Sequence, residues 1–189
     1  MGFLGGLSGR VSDIGVGGRN GAQLAVDDLN AAGGIDGRPV ELVARDDEQN
    51  NEVGRQRLQD LAAAGVHFVV GPMTSSVAVA VAPRALERAL LLISPTATTH
   101  ELSGKADAFF RLVPDAPSGG AQQAAFLFAQ GHRTMAVVSD FSNRAFSESW
   151  CQGVKQRFTG LGGRVLAELN FTSAPGVQYG PIAQALVAA

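Results

Sequence analysis

The sequence predicts an α/β protein in which parallel strands alternate with helices. Short apolar runs bounded by turn residues recur along the chain, and between them lie segments whose apolar residues stand three and four positions apart. Strands separated by helices of this length imply parallel βαβ units and doubly wound sheets. With 46% hydrophobic residues, the 189-residue chain also has enough apolar side chains to form a buried core.

The first part of the chain alternates strand and helix. We expect strands at 2–4, 40–45, 67–70, 90–93 and 109–113, and helices at 20–32, 53–62 and 74–88. Gly33 and Gly34 end the first helix, and Gly65 ends the second. Pro83 is expected to kink or interrupt the third helix, because its ring removes a hydrogen bond.

The strongest linker signal is the Pro- and Gly-rich stretch 114–120. We therefore predict a first lobe at 1–114, a hinge at 115–120 and a second lobe at 121–189. The second lobe should hold helices at 121–130, 146–159 and 179–188 and strands at 135–139 and 165–170. Two strands are too few for a stable doubly wound sheet, so we expect the chain to be cut short at Ala189.

Composition excludes several classes of protein. The formal net charge of −2 provides no basic surface for nucleic acid. No apolar run approaches the ~18 residues of a membrane helix. Residues 1–8 lack a positively charged leader, so an exported form would have had its leader removed. With Cys151 as the single cysteine, neither an intramolecular disulfide nor a cysteine zinc cluster can form.

A glycine-rich stretch, Gly15 to Gly21, precedes the first predicted helix and superficially resembles a dinucleotide-binding loop. The spacing is GxGxxxG, and the glycines do not directly follow a strand, as that fingerprint requires. We interpret the stretch as a flexible turn before an amphipathic helix. A nucleotide-dependent enzyme with this phosphate loop is an alternative.

Two hydroxyl-rich loops follow neighbouring predicted strands. Gly71 to Ser76 leads from a strand into a helix, and Ser94 to Thr99 follows the next strand. The carboxyl ends of parallel strands meet at one sheet edge, where open α/β sheets bind ligands. Helix-start amides with adjacent hydroxyls suit a carboxylate, so the pair of loops predicts a small zwitterionic ligand. The alternative is that one hydroxyl caps the helix and the others face water.

Candidates for catalysis and metal binding are few. His100, near Ser94, Thr98 and Glu101, is the one conceivable base, and a loop histidine is the alternative. We interpret the acidic run 46–48 as a solvated turn, because hard cations need oxygen ligands from separated positions. Cys151 follows Trp150 on a predicted helix and is expected to be packed and inert.

The segment 21–38 resembles the signature of type I periplasmic solute-binding proteins, specifically the branched-chain amino-acid (Leu/Ile/Val) binding family of ABC importers. Further segments that resemble the family in order are 40–47, 69–72, 75–78, 92–98, 110–111 and 161–163. The resemblance spans the chain but covers about the N-terminal half of such a protein. It implies two α/β lobes that close on a ligand in the cleft between them, the second lobe being incomplete here.

The resemblance implies extracytoplasmic binding of an amino acid or related small carboxylate, without catalysis, and delivery to an ABC permease. Neither a metal nor a cofactor is expected. The first-lobe ligand residues would be Ser75, Ala97 and Thr99, with Met73 and Thr74 beside them. These positions take the ligand's α-carboxylate and α-ammonium groups in amino-acid binders of the family. A receptor domain of the same fold that regulates a signalling partner is an alternative function.

Two departures from the family pattern affect the ligand's side chain. Ile14 stands where many members place an aromatic residue, and Phe146 with Ser147 replaces the Tyr-Gly pair of the second lobe. Loss of the tyrosine hydroxyl favours a more apolar ligand. Because a half-length chain would leave a sheet edge and helix faces uncovered, we also expect it to bind ligand poorly and to self-associate, by swapping elements.

Overall fold

The computed structural model describes residues 1–9 and 12–188. The chain divides into two compact units. Unit 1 comprises residues 1–97 and 104–113, and unit 2 comprises residues 98–103 and 114–189. The predicted boundaries at 1–114, 115–120 and 121–189 as two lobes and a hinge stay a prediction.

Unit 1 is a five-stranded parallel sheet wrapped by helices. Its strands are β1 (Gly2–Gly5), β2 (Val43–Asp46), β3 (Phe68–Val70), β4 (Leu91–Ser94) and β5 (Phe109–Arg111). Its helices are α1 (Asp13–Ala31), α2 (Asn51–Ala63) and α3 (Ser75–Glu87). The strand order is β2-β1-β3-β4-β5, with every pair parallel. The predicted α/β class with a parallel sheet is confirmed.

Helix α1 begins at Asp13 and contains the glycines expected to form a flexible turn. That expectation is wrong, because two of these glycines permit close packing. A Cβ on Gly15 would lie 1.9 Å from the Gly6 carbonyl oxygen, and one on Gly18 would lie 2.3 Å from Met73 Cε. The glycines therefore let α1 approach the end of β1. Because they are helical, they do not form the phosphate-binding loop that the nucleotide-dependent enzyme would need.

Pro83 was expected to kink or interrupt α3, and the interruption is wrong, whereas a kink stays a prediction. Helix α3 continues past Pro83 to Glu87. Val77, Val81 and Ala85 are fully buried on one face of this helix. This burial on both sides of the proline offsets the loss of one backbone hydrogen bond.

Unit 2 contains a short sheet and its helices. The elements are α4 (Ala116–Ala129), β6 (Thr134–Asp140), α5 (Arg144–Gly160), β7 (Arg164–Phe171) and α6 (Gly180–Val187), with 3₁₀ turns at His100–Leu102 and Phe141–Asn143. Strands β6 and β7 form a two-stranded parallel sheet, so the predicted pair of strands is confirmed. Ala124, Val154 and Phe158 form a buried cluster in this unit, and the ring of Phe128 packs edge-on against that of Phe158 with centroids 5.9 Å apart.

The predicted linker at 114–120 is mostly helix. Helix α4 begins at Ala116, five residues before the expected start at 121. The Asp115 carboxylate accepts a hydrogen bond from the Ser118 backbone amide at 3.1 Å, and Pro117 lies in the first turn, where its missing N–H costs nothing. A Cβ on Gly119 would lie 2.5 Å from the Trp150 ring. The linker signal is thus a capped helix start with a glycine packing contact.

Within residues 1–9 and 12–188, no helix is both long and apolar enough to cross a membrane. The same part of the chain contains no cluster of three or more His, Cys, Asp or Glu side chains that could hold a metal ion.

Candidate functional site

The candidate site lies in unit 1 at the carboxyl ends of β3 and β4. The chain leaves β3 through Gly71, whose φ is +116° and whose Cβ, if present, would lie 2.1 Å from the Leu4 carbonyl oxygen. Only glycine fits both the backbone angle and this contact. The turn delivers the chain to Thr74 and to Ser75, the first residue of α3.

Two hydroxyl groups join the two loops. Ser94 Oγ donates to the Pro72 carbonyl at 2.6 Å and accepts from the Ala97 amide at 2.9 Å. Thr96 Oγ1 donates to the Met73 carbonyl at 2.6 Å. The expectation that the loops lie side by side is confirmed. Ser94 is fully buried, so its hydroxyl is a structural brace between the loops.

We expect Ser94→Ala to destabilise the protein by about 2 kcal/mol, because buried partners on both loops lose their bonds. The Ala97 amide should then exchange its hydrogen faster in native-state exchange measured by mass spectrometry. Thr96→Val removes one bond and should cost about 1 kcal/mol. A larger loss in the threonine variant would contradict the role of Ser94.

At the start of α3, Ser75 is 2% exposed and Met73 is 3% exposed. Thr74 is the N-cap residue, and its side chain makes no capping hydrogen bond. The hydroxyl of Thr74 is therefore not the one that caps the helix. The Met73 side chain is adjacent to Gly5 and Gly18 and fills the space between β1 and α1. Its backbone is part of the loop, whereas its side chain belongs to the core.

The last residues of the second loop belong to different units. Ala97 is fully buried and belongs to unit 1, whereas Thr99 belongs to unit 2 and is fully buried there. Thr99 Oγ1 accepts from the Glu101 amide at 3.2 Å and pairs with Ser149 Oγ of α5 at 3.3 Å. His100 Nδ1 lies 3.0 Å from the same Ser149 oxygen. The histidine is therefore held by a structural hydroxyl, in accord with the loop-histidine interpretation.

The two residues predicted to face the ligand's side chain are partly exposed. Ile14, in the first turn of α1, is 52% exposed. Phe146, in the first turn of α5 in unit 2, is 38% exposed and its ring lies 6.0 Å from that of Trp150. Ser147 donates its hydroxyl hydrogen to the Asp140 carbonyl at 2.7 Å. Ile14 and Phe146 both present apolar surface.

The adjacent acids Asp46 and Asp47, at the carboxyl end of β2, have different environments. Burial opposes ionisation of Asp46, but hydrogen bonds from Ser8, Leu7 and Glu48 outweigh it and lower its pKa. Asp47 is fully buried, and its Oδ1 accepts from the Gln49 amide at 2.8 Å. Its Oδ2 has no hydrogen-bond partner in the described part of the chain. Burial raises the pKa of Asp47 to about 6, so the interpretation of this run as a solvated turn is wrong for Asp47.

Sequence reasoning missed the bracing roles of Ser94, Thr96 and Ser149. The hydroxyl-rich loop 94–99 was a usable signal for the first two residues. Alternation along β4 turns Ser94 to the buried face of the sheet, where its hydroxyl reaches the neighbouring loop. Ser149 is 50 residues from Thr99, so no local pattern pairs them.

The sequence model described as "Periplasmic binding protein" matches residues 1–189. The chain belongs to the periplasmic binding protein family. Members of this family bind solutes without transforming them, so at the family level the chain is a binding protein and not an enzyme. The predicted resemblance, and with it the type I periplasmic-binding fold, is confirmed.

The sequence is similar to those of several named members of the family. It is 39% identical to the Leu/Ile/Val-binding protein BraC3 of Rhizobium johnstonii over 103 residues, which are 54% of this chain and 28% of that relative. It is 29% identical over 170 residues to the chemotactic signal transduction substrate-binding protein BasB of Halobacterium salinarum, across 86% of this chain and 40% of the relative.

A solved structure gives the same result for the fold. The substrate-binding protein LivJ of a branched-chain amino acid transporter from Streptococcus pneumoniae, in complex with isoleucine, superimposes with a TM-score of 0.88 at 25% identity. The match covers all of this chain and 53% of LivJ. The chain therefore spans about half the length of this solved relative.

Proposed function

We propose that this binding protein takes up an amino acid or a related small carboxylate outside the cytoplasm and delivers it to an ABC permease. The observation that carries the proposal is the start of α3. Ser75 stands there in the first turn, the N-cap residue Thr74 makes no side-chain capping bond, and the loop before the helix is braced from β4. A helix start directs backbone amides and positive potential at a carboxylate.

The proposed ligand contacts follow the family resemblance. Ser75 and the amides of the α3 start take the ligand's carboxylate, and the Ala97 carbonyl with the Thr99 hydroxyl takes its ammonium group. The Met73 and Thr74 backbone borders the carboxylate. Ile14 and Phe146 are proposed to contact an aliphatic side chain, and both present apolar surface suited to it.

Relatives named for their ligand or crystallised with one support the amino-acid class. BraC3 is named as a Leu/Ile/Val-binding protein, and LivJ was crystallised with isoleucine. The braced loops add a physical reason: a site whose loops are fixed before binding loses little conformational entropy when ligand arrives.

Thermal unfolding with a ligand panel tests the proposal on the chain itself. Leucine, isoleucine, valine, benzoate and nucleotides are added separately, and a ligand at 100 times its dissociation constant should stabilise the protein by about 2.7 kcal/mol. Stabilisation by the aliphatic amino acids supports the proposal. Stabilisation by nucleotides alone would contradict it.

The double variant Ser75→Ala/Thr99→Ala locates the site. Each lost hydrogen bond to a charged ligand group is worth about 1.5 kcal/mol or more, so the dissociation constant should rise roughly a hundredfold in calorimetry. Ser76→Ala is the matched control, because it removes a neighbouring hydroxyl outside the proposed site. Ser76 lines a separate groove together with Asn51 and Arg55. Unchanged affinity in the double variant would reject these ligand residues.

A sensing role is the second candidate function, and BasB favours it. BasB is named as part of a chemotactic signal transduction system, and its alignment extends over more of this chain than that of BraC3. The two roles differ in the partner of the ligand-loaded protein. Stimulated ATP hydrolysis by a reconstituted permease supports import, whereas altered kinase activity of a chemotaxis transducer supports sensing.

A further inference from the structure

A cluster of hydroxyl and imidazole groups joins the 3₁₀ turn His100–Leu102 to α5 within unit 2. Its centre is the hydroxyl of Ser149, a residue that is 2% exposed. The Ser149 oxygen lies 2.8 Å from the Ala145 carbonyl oxygen and 3.0 Å from His100 Nδ1. It also lies 3.3 Å from Oγ1 of Thr99, which is fully buried. Three groups therefore surround one serine hydroxyl, whose single hydrogen goes to one of them.

The chemistry of each partner decides where the Ser149 hydrogen goes. A backbone carbonyl can only accept, and the Ala145 carbonyl is the nearest of the three groups. Serines in helices often donate to the carbonyl four residues earlier. The His100 backbone amide, which can only donate, also bonds to the Ser149 oxygen at 3.4 Å. Ser149 therefore donates to Ala145 and accepts from the imidazole and from Thr99.

This assignment orients the Thr99 hydroxyl. Because Ser149 accepts, Thr99 donates its one hydrogen across the 3.3 Å contact. The Thr99 oxygen in turn accepts from the Glu101 amide at 3.2 Å, as the N-cap of the 3₁₀ turn. Any further partner of this oxygen must then be a hydrogen-bond donor. An ammonium group meets this requirement, whereas a carboxylate, which only accepts, does not.

We propose that Ser149 is a positioning residue that makes the second loop selective for ligands with an ammonium group. The inference rests on the proposed function, in which the Thr99 hydroxyl takes the ligand's ammonium group, and it adds a residue on α5 that sets this preference. Without the Ser149 oxygen, the Thr99 hydroxyl is free to turn its hydrogen toward the ammonium group. A hydroxyl held in the orientation that the ligand needs loses little conformational entropy on binding.

Calorimetric binding of leucine and of isocaproate, which is leucine without its ammonium group, tests the proposal on the chain. We expect Ser149→Ala to lower the preference for leucine over isocaproate about tenfold, because it impairs a hydrogen bond to a charged group. The affinity for isocaproate should change by less than about twofold, since this ligand has no group for Thr99 to accept from. A merely structural loss would weaken both ligands alike.

Thr159→Val is the matched control. Thr159 lies on the same helix and also donates to the carbonyl four residues earlier, that of Lys155, at 2.8 Å. Its second contact, with the Gln156 carbonyl at 3.3 Å, is within the helix as well. The variant should therefore leave the preference for leucine within about twofold of the parent. Far-UV circular dichroism verifies that both variants are folded.

The imidazole of His100 reports on the hydrogen assignment without any ligand. If Ser149 accepts from Nδ1, the neutral ring carries its hydrogen on Nδ1. Proton–nitrogen NMR at about pH 8.5, where histidine side chains are neutral, distinguishes this tautomer from the Nε2–H form. Ser149→Ala should lower the population of the Nδ1–H form. His100→Gln identifies the signal among the three histidines of the sequence.

Three outcomes would overturn the proposal. Equal weakening of leucine and isocaproate by Ser149→Ala would leave the serine a structural role alone, and an unchanged preference would leave it none. An Nε2–H tautomer in the parent would reverse the hydrogen assignment. A parent chain that binds neither ligand would instead overturn the proposed function, and the NMR measurement would still decide the orientation of the Ser149 hydroxyl.

Discussion

Replacing Asp47 with asparagine is expected to stabilise the protein at pH 7 by about 3 kcal/mol. The buried carboxylate loses its hydration, and its Oδ2 receives no hydrogen bond in the described structure. Asparagine keeps an oxygen that can accept from the Gln49 amide, as Asp47 does at 2.8 Å, and it carries no charge. The variant therefore mimics the protonated acid that the site prefers.

The contribution of Asp47 to stability depends on pH. The Asp47 pKa rises from an ordinary value of 3.8 to about 6 in the folded chain. The folded state therefore binds the proton more tightly than the unfolded state does, and stability falls as pH rises from about 4 to about 6. The stability difference between Asp47→Asn and the parent should be near zero at pH 4 and reach its full value above pH 6.

Asp46→Asn is the matched control because hydrogen bonds lower the pKa of Asp46. This variant should be less stable than the parent at pH 7, and the difference should shrink as pH falls. Trp150 and Tyr179 are the only tryptophan and tyrosine in the sequence, and both belong to unit 2. Their fluorescence therefore does not report directly on Asp46 and Asp47, which belong to unit 1. Hydrogen exchange of unit 1 peptides is the direct measurement. A pH-independent gain in Asp47→Asn would contradict the role of its charge.

Gly15→Ala is expected to cost about 3–4 kcal/mol of stability. The new methyl group would lie 1.9 Å from the Gly6 carbonyl oxygen, so α1 must move away from the end of β1. Backbone atoms cannot give way as a flexible side chain can. The displacement would also open the space that Met73 fills beside Gly18.

Gly21→Ala isolates this packing effect from helix propensity. Gly21 lies in the same helix, and a Cβ there meets no atom within 4 Å. The substitution should stabilise the protein by about 0.8–1 kcal/mol, because alanine is the better helix former. Urea unfolding followed by far-UV circular dichroism measures both variants. Similar free energies for the two would show that α1 does not pack closely at Gly15.

The alternation of strands and helices was predictable because it depends on local apolar periodicity. The starts of helices that are rich in glycine or proline were not predictable in this way. Gly15 and Gly119 look like flexible residues in sequence, yet each allows a close contact with a distant segment, Gly6 in one case and Trp150 in the other. A local pattern cannot reveal such contacts, which is why α1 and α4 begin earlier than expected.

Some features of the candidate site were predictable from the sequence, and others were not. The position of the hydroxyl-rich loops follows from strand order and was predictable, as was the start of α3 near Ser75. Which hydroxyl groups brace the loops depends on long-range partners. Ser94 donates to a residue 22 positions away, and Thr99 pairs with Ser149 on α5. Likewise, nothing local distinguishes buried Asp47 from Asp46.

Unit 2 is discontinuous in sequence, because residues 98–103 belong to it although they lie between two stretches of unit 1. A single proteolytic cut after residue 113 would therefore not yield two complete units. The fragment 1–113 would keep the 3₁₀ turn His100–Leu102 without its hydroxyl partner Ser149, and the fragment 114–189 would lose that turn. Exchange of this unit between homologous genes would require two separate segments to recombine together.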